Sequence, residues 1–118
     1  MDGMPQVVSL KEAADRYLEA CFEKETPPHV AELALAIGVA ASQLTRPFRT
    51  EVGVTPASYL KSEQIRRAQS LLRSTTLPMN AVGYQSGFGT RMSFFRAFRR
   101  ATGLTPMQYR ENAGQNCK

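Results

Sequence analysis

The side chains best suited to specific chemistry in this sequence are arginines, and they recur at a fixed interval. Arg91, Arg96, Arg99 and Arg100 fall within residues 91–100, and Arg46 and Arg49 stand at the positions of Arg96 and Arg99 less 50. A guanidinium carries its donors in a planar fork that fits a phosphate, or the O6 and N7 edge of a guanine in the major groove. Gln43 adds an amide able to pair with a base edge, and Met92 a side chain able to touch a thymine methyl. Ser42 and Thr90 lie where helices would start, so backbone N–H groups there could meet phosphates.

Chemistry of other kinds finds no support. There is no phosphate-binding glycine loop, no dinucleotide-binding glycine run, no paired carboxylate setting and no nucleophile with a nearby base, so an enzyme is not expected. The one histidine, His29, has no cluster of cysteines or acids around it and reads as a surface or cap residue. Cys21 and Cys117 show no metal-ligand spacing. No metal and no cofactor are expected, and the two distant thiols fit a reducing cytosol. No apolar run approaches the ~20 residues needed to cross a bilayer, and no leader pattern opens the chain.

The net charge of +5 is unevenly shared. Residues 1–38 hold three bases against seven acids, a net of −4, and residues 39–118 hold twelve bases against three acids, a net of +9. Ten of those twelve bases are arginine, which favours a polyanionic partner.

Something must hold these side chains in register, and the sequence repeats itself to do so. Arg46-Pro47-Phe48-Arg49, Gly53-Val54-Thr55-Pro56 and Tyr59-Leu60 return as Arg96-Ala97-Phe98-Arg99, Gly103-Leu104-Thr105-Pro106 and Tyr109-Arg110, each at plus 50. Upstream, 33–38 matches 82–87 at plus 49, so the second copy has one extra residue in its turn. Each copy reads as a short helix, a tight turn containing glycine and a second helix. Val30, Leu33, Ala34 and Ile37 give the first stripe, ended by Gly38 with a positive φ. Leu44 with Phe48, and Phe94 with Phe98, give i, i+4 apolar stripes on the second helix of each copy. Phe48 and Phe98 are the expected core anchors, and Tyr59 and Tyr109 are expected to pack rather than to stack on bases.

Thr55-Pro56 and Thr105-Pro106 read as an N-cap followed by proline at the first helical position. The first starts a helix from about Pro56 to Arg73, with Tyr59, Leu60, Ile65, Ala68, Leu71 and Leu72 buried. Its ~27 Å suits a rigid strut between two lobes. Ser74-Thr75-Thr76 should end that helix and cap the next. Ser9-Leu10-Lys11-Glu12 has the form of a capping box opening a helix to about Lys24, with Ala13, Ala14, Tyr17, Leu18 and Cys21 inward. The sum is an all-α fold of seven helices: an N-terminal helix and first helix-turn-helix unit over 1–54, a linker helix over 55–75, and a second unit over 76–118.

Gly87-Phe88, Phe94, Arg96, Phe98-Arg99-Arg100, Gly103, Thr105-Pro106 and Tyr109-Arg110 resemble the signature of the AraC/XylS family of bacterial transcription regulators. Leu33-Ala34, Gly38, Leu44, Arg46, Phe48-Arg49, Gly53, Thr55-Pro56 and Tyr59-Leu60 resemble that family's less regular first motif, so the likeness runs over about residues 10–113. It implies two homeodomain-like lobes joined by a long helix, with the third and sixth helices, near 41–51 and 90–101, as readers in adjacent major grooves. It implies sequence-specific binding of double-stranded DNA by a monomeric module in the bacterial cytoplasm, at the nucleoid. The chain would be a small stand-alone regulator, or the end of a longer one with a sensor domain outside this chain, and RNA polymerase is a further candidate partner. A helical adaptor that binds other proteins is the competing expectation.

Within that scheme Gln43, Arg46, Arg91, Met92 and Arg96 are expected at base edges. Ser42, Arg49, Thr90, Arg99 and Arg100 are expected at phosphates, where they add affinity without sequence information. Phe95 is expected to face outward beside Met92, where both could touch thymine methyls or simply pack. Pro47 departs from the pattern: inside the third helix it removes one backbone hydrogen bond and costs ~3 kcal/mol. Ala40 and Ala41 also stand where a capping Ser or Asp would be expected. The second reader is therefore expected to contact bases more strongly than the first.

Overall fold

The computed structural model describes residues 9–116, and Cys117 lies outside them. The described residues form seven helices and no strand: α1 (Leu10–Lys24), α2 (Val30–Ile37), α3 (Ala41–Val52), α4 (Pro56–Ser74), α5 (Met79–Gln85), α6 (Arg91–Thr102) and α7 (Pro106–Asn116). Their boundaries follow local chemistry. Ser9 accepts from the Glu12 N–H at 3.0 Å while Glu12 accepts from the Ser9 N–H at 3.3 Å, which completes the capping box of α1. Thr55 and Thr105 accept from Ser58 and Gln108 N–H groups at 3.2 and 3.1 Å, each just ahead of its proline. Gly38 ends α2 with φ 99°, and its N–H donates to Ala34.

Two cores result. Ala14, Leu18, Leu33, Ala34, Leu44, Phe48, Tyr59 and Leu60 fill the first. Ile65, Ala68, Leu72, Val82, Phe88, Phe94 and Phe98 fill the second. The long helix is therefore more than a strut: the start of α4 completes the first core and its remainder completes the second. The longest dimension is 50 Å and the radius of gyration 15.7 Å, against ~13.5 Å for a compact domain of this length. That elongation follows from building two small cores on one helix.

The two units solve the same packing problem with different volumes. In the second, a Cβ on Gly83 would lie 3.0 Å from the Phe94 ring, so only glycine lets α5 approach a phenylalanine this closely. In the first, the matching positions are Ala34 and Leu44, both in one core. The larger ring is accommodated by the smaller neighbour.

Three expectations need correcting. The Ser74-Thr75-Thr76 segment ends α4 but does not cap α5, which starts after Pro78 with no side-chain cap. Thr75 instead folds back on α4, donating to the Leu71 carbonyl at 2.6 Å and accepting from the Leu77 N–H. Phe95 is half-buried and packs edge-on to Phe94 at 5.9 Å, because the second core reaches round α6 to meet it. Leu71 is half-buried rather than buried, and Gln64, a polar residue absent from the expected inner face, is 4% exposed.

Candidate nucleic-acid interface

Each reader helix is anchored by wholly buried side chains and leaves its opposite face free. Leu44 and Phe48 anchor α3, and Phe94 and Phe98 anchor α6. All ten expected contact residues, Ser42, Gln43, Arg46, Arg49, Thr90, Arg91, Met92, Arg96, Arg99 and Arg100, are exposed. Met92 is 63% exposed, an unusual position for an apolar side chain with a core beside it.

The electrostatics of the two faces are one-sided. α6 carries four arginines and no acid. The only acid on α3, Glu51, is engaged elsewhere: its two carboxylate oxygens accept from the Leu10 and Lys11 N–H groups, each at 3.1 Å, at the start of α1. Those two hydrogen bonds, Lys11 first, hold the Glu51 carboxyl below the ordinary glutamate range. Among the described residues the ion pairs are Lys11 with Asp15 and Arg66 with Glu63, so none of the reader arginines is paired with a described acid.

The local geometry sorts the individual side chains. Arg91 lies over the Phe95 ring at 5.4 Å, which steers its guanidinium along the helix surface. Thr90 is the N-cap of α6: its hydroxyl oxygen accepts from the Ser93 N–H at 3.0 Å and shares a hydrogen bond with the Ser93 hydroxyl. What remains for an anion there is the backbone at the helix start. Ala40, the N-cap of α3, has no side-chain acceptor, and Gln43 reaches back to its N–H at 3.3 Å. Among the described residues the Gln43 amide nitrogen has no hydrogen-bond acceptor, and the side chain is exposed.

Pro47 lies on the exposed side of α3, between Arg46 and the buried Phe48. α3 nevertheless runs from Ala41 to Val52 as one helix. The proline leaves the Gln43 carbonyl without its in-helix donor, on the solvent side, where water can supply one.

Lys61 was not foreseen. It projects from α4 into a groove lined by Thr90, Met92, Ser93, Arg96 and Arg100, which adds a third cation to that surface. Nothing local marks Lys61 out, since its place depends on how α4 packs beside α6. Three arginines of the basic half are meanwhile used internally, Arg73 by donating to the Tyr109 hydroxyl at 2.7 Å. Arg67 donates to the Gln85 carbonyl at 2.8 Å, and Arg110 donates to the Leu72 and Leu77 carbonyls at 3.0 and 2.7 Å.

A family model described as a helix-turn-helix domain matches residues 33–112, the stretch that holds both units. The chain belongs to the AraC/XylS family. It is 33% identical over 95 residues to the probable transcriptional regulator LumQ of Photobacterium leiognathi, a match covering 80% of this chain and 38% of that protein. It is 36% identical over 76 residues to the xylose operon regulatory protein of Escherichia coli K12, covering 64% of this chain and 19% of that protein. This AraC/XylS chain thus spans well under half the length of either relative. Among solved structures it resembles the DNA-binding domain of AdpA in complex with a target DNA, with TM-score 0.81, 25% identity and coverage of 92% of this chain and 95% of that one. An AraC-type regulator of Chromobacterium violaceum superposes with TM-score 0.74 at 29% identity, covering 91% and 93%. Among the described residues no group of acids, histidines and cysteines is placed to hold a metal. No described helix is long and apolar enough to cross a membrane.

Proposed function

We propose that this chain reads double-stranded DNA sequence-specifically, as the DNA-binding module of a bacterial transcription regulator. The observation that carries the reading is α6: four arginines and an exposed methionine on a helix with no acid, held in place by two wholly buried phenylalanines. A helix in the major groove needs one face fixed in its own lobe and the other free for base edges and phosphates. The match to a DNA-bound domain over nine-tenths of the chain supports it.

Arg96, Arg91 and Met92 on α6, with Arg46 and Gln43 on α3, are the base-contacting set. Arg99, Arg100 and Arg49, with the helix starts at Thr90 and Ser42, are the phosphate-contacting set, to which Lys61 is added. The 50 Å length is enough for two readers one DNA turn apart, ~34–36 Å. The module acts as a monomer on an asymmetric site, in the bacterial cytoplasm at the nucleoid. The greater length of the relatives supports a sensor domain elsewhere in the full regulator, and RNA polymerase is the partner such a regulator would address.

Selection of bound duplexes from a random pool tests the reading, followed by a salt titration on the winner. The expected product is two short elements ~10 bp apart, with log K falling by ~0.9 per phosphate contacted for each unit rise in log salt. Binding that ignores salt, or no enrichment of any duplex, would return the chain to the protein-adaptor class.

A further inference from the structure

The two lobes are joined by α4, and side chains of that helix also hold the turn that leads into α6. Gln64 is 4% exposed, and its Nε2 donates to the Gly87 carbonyl at 3.0 Å and the Ser86 carbonyl at 3.3 Å. One turn along, Arg67 donates through Nε to the Gln85 carbonyl at 2.8 Å. These carbonyls close α5 and lead into the turn before α6, so they lack partners within α5 and take donors from α4 instead. The same Arg67 guanidinium lies 4.9 Å from the centroid of the Phe22 ring, on α1 of the first lobe. It therefore bonds to one lobe and stacks on the other.

A second contact lies beside the first. Gly87 has φ +83°, and a Cβ placed there would sit 3.3 Å from Cδ of Pro28 and 3.4 Å from the Thr26 carbonyl oxygen. A Cβ on Gly89 would sit 3.4 Å from Cγ of Pro27. The rigid Thr26-Pro27-Pro28 turn between α1 and α2 thus meets the turn that delivers α6. A helix shared by two lobes still lets them rock about it, and a contact off its axis removes that freedom.

We propose that Arg67 and the Thr26–Pro28 turn form a brace between the lobes, with Gln64 holding the Ser86–Gly87 turn against which it rests, and that this brace fixes the orientation of α3 relative to α6 and so sets the base-pair spacing the chain accepts. The second half of this rests on the DNA-reading function proposed above. Adding one base pair between two elements turns one past the other by ~34–36°, and braced lobes cannot follow while rocking lobes can. Gln64 and Arg67 are positioning residues here, with no contact to bases.

The test uses the full chain in two variants: Arg67→Ala with Pro28→Gly, which loosens both contacts, and Gln64→Ala as a separate lesion. Residual dipolar couplings of the free chain read the brace without DNA. In the wild type one alignment tensor should fit both lobes. In the variants each lobe should keep internally consistent couplings, which shows that it is folded, while the two tensors diverge. On the selected duplex, inserting or deleting one base pair between elements should cost the wild type ~100-fold, within the ~10²–10⁴-fold gain that two linked contacts provide, and the variants ~10-fold or less. A shared tensor in both variants, or a spacing penalty as large as that of the wild type, overturns the proposal. Should no duplex be selected at all, the DNA reading fails, and the tensors still decide whether the brace exists.

Discussion

Phe48 and Phe98, fifty residues apart in the chain, occupy the same station in the two lobes. Each is wholly buried, and each meets a tyrosine edge-on: Tyr59 at 5.6 Å and 60° for the first, Tyr109 at 5.4 Å and 76° for the second. The tyrosines come from the helix after each reader, so each pair ties a reader helix to the helix that follows it. Truncating either phenylalanine should therefore release a reader. We expect Phe98→Ala to lose ~3–5 kcal/mol of stability, by the lost burial and the cavity left behind, as measured by urea unfolding. A loss under ~1 kcal/mol would contradict the anchoring role.

The two sets of arginines on α6 should fail differently. Arg96→Ala should relax the preference at one base pair, by ~1–3 kcal/mol, and leave the salt slope largely unchanged. Arg99→Ala should weaken every duplex alike and reduce the salt slope by ~1. Parallel titrations of the two variants against matched and mismatched duplexes separate the roles. Identical behaviour would mean that the register of α6 in the groove is other than proposed.

Pro47 offers a change in the opposite direction. Pro47→Leu restores an N–H for the Gln43 carbonyl on the outer side of α3. It should raise stability by ~2 kcal/mol, the ~3 kcal/mol of lost bond and clash less up to ~1 kcal/mol of unfolded-state entropy. Because the same face carries Gln43 and Arg46, binding should tighten or change preference at the element read by α3. Unchanged stability together with unchanged preference would show that the proline is neutral where it stands.

Glu51 gives the first lobe a pH-dependent fastening. Its carboxyl is held below the ordinary glutamate range by the Lys11 and Leu10 N–H groups, so the charged form is favoured by folding. A depressed carboxylate stabilises above the unfolded value, ~4.3, and that contribution is lost as pH falls through the lower folded value. Glu51→Gln should lower Tm at pH 7, and the gap from the wild type should close as pH falls below the unfolded value of ~4.3 and through the lower folded one. A gap of constant size in thermal melts across this range would show that the carboxylate charge plays no part.

Much of this molecule is legible without coordinates, because the features involved are local. The i, i+4 stripes of α3 and α6, the capping threonines before Pro56 and Pro106, and the break at Gly38 each follow from residues within a few positions of one another, and the plus-50 repeat shows the same local pattern twice. They determine seven helices, their order and the side of α3 and α6 that must be buried. The exposed faces with their arginines follow by subtraction.

The tertiary structure decided where the polar side chains go. Arg67 and Arg110 look like their exposed neighbours in sequence, yet they bond to carbonyls 18, 33 and 38 residues away. Gln64 is polar and buried because two carbonyls at the end of α5 lie within its reach. Glu51 is taken off the reader face by the start of α1, and Lys61 is brought to α6 by the packing of α4. A helical stripe states which side is apolar. Which donor meets which orphaned carbonyl depends on the distances between helices, and these exist only once both cores have formed on α4.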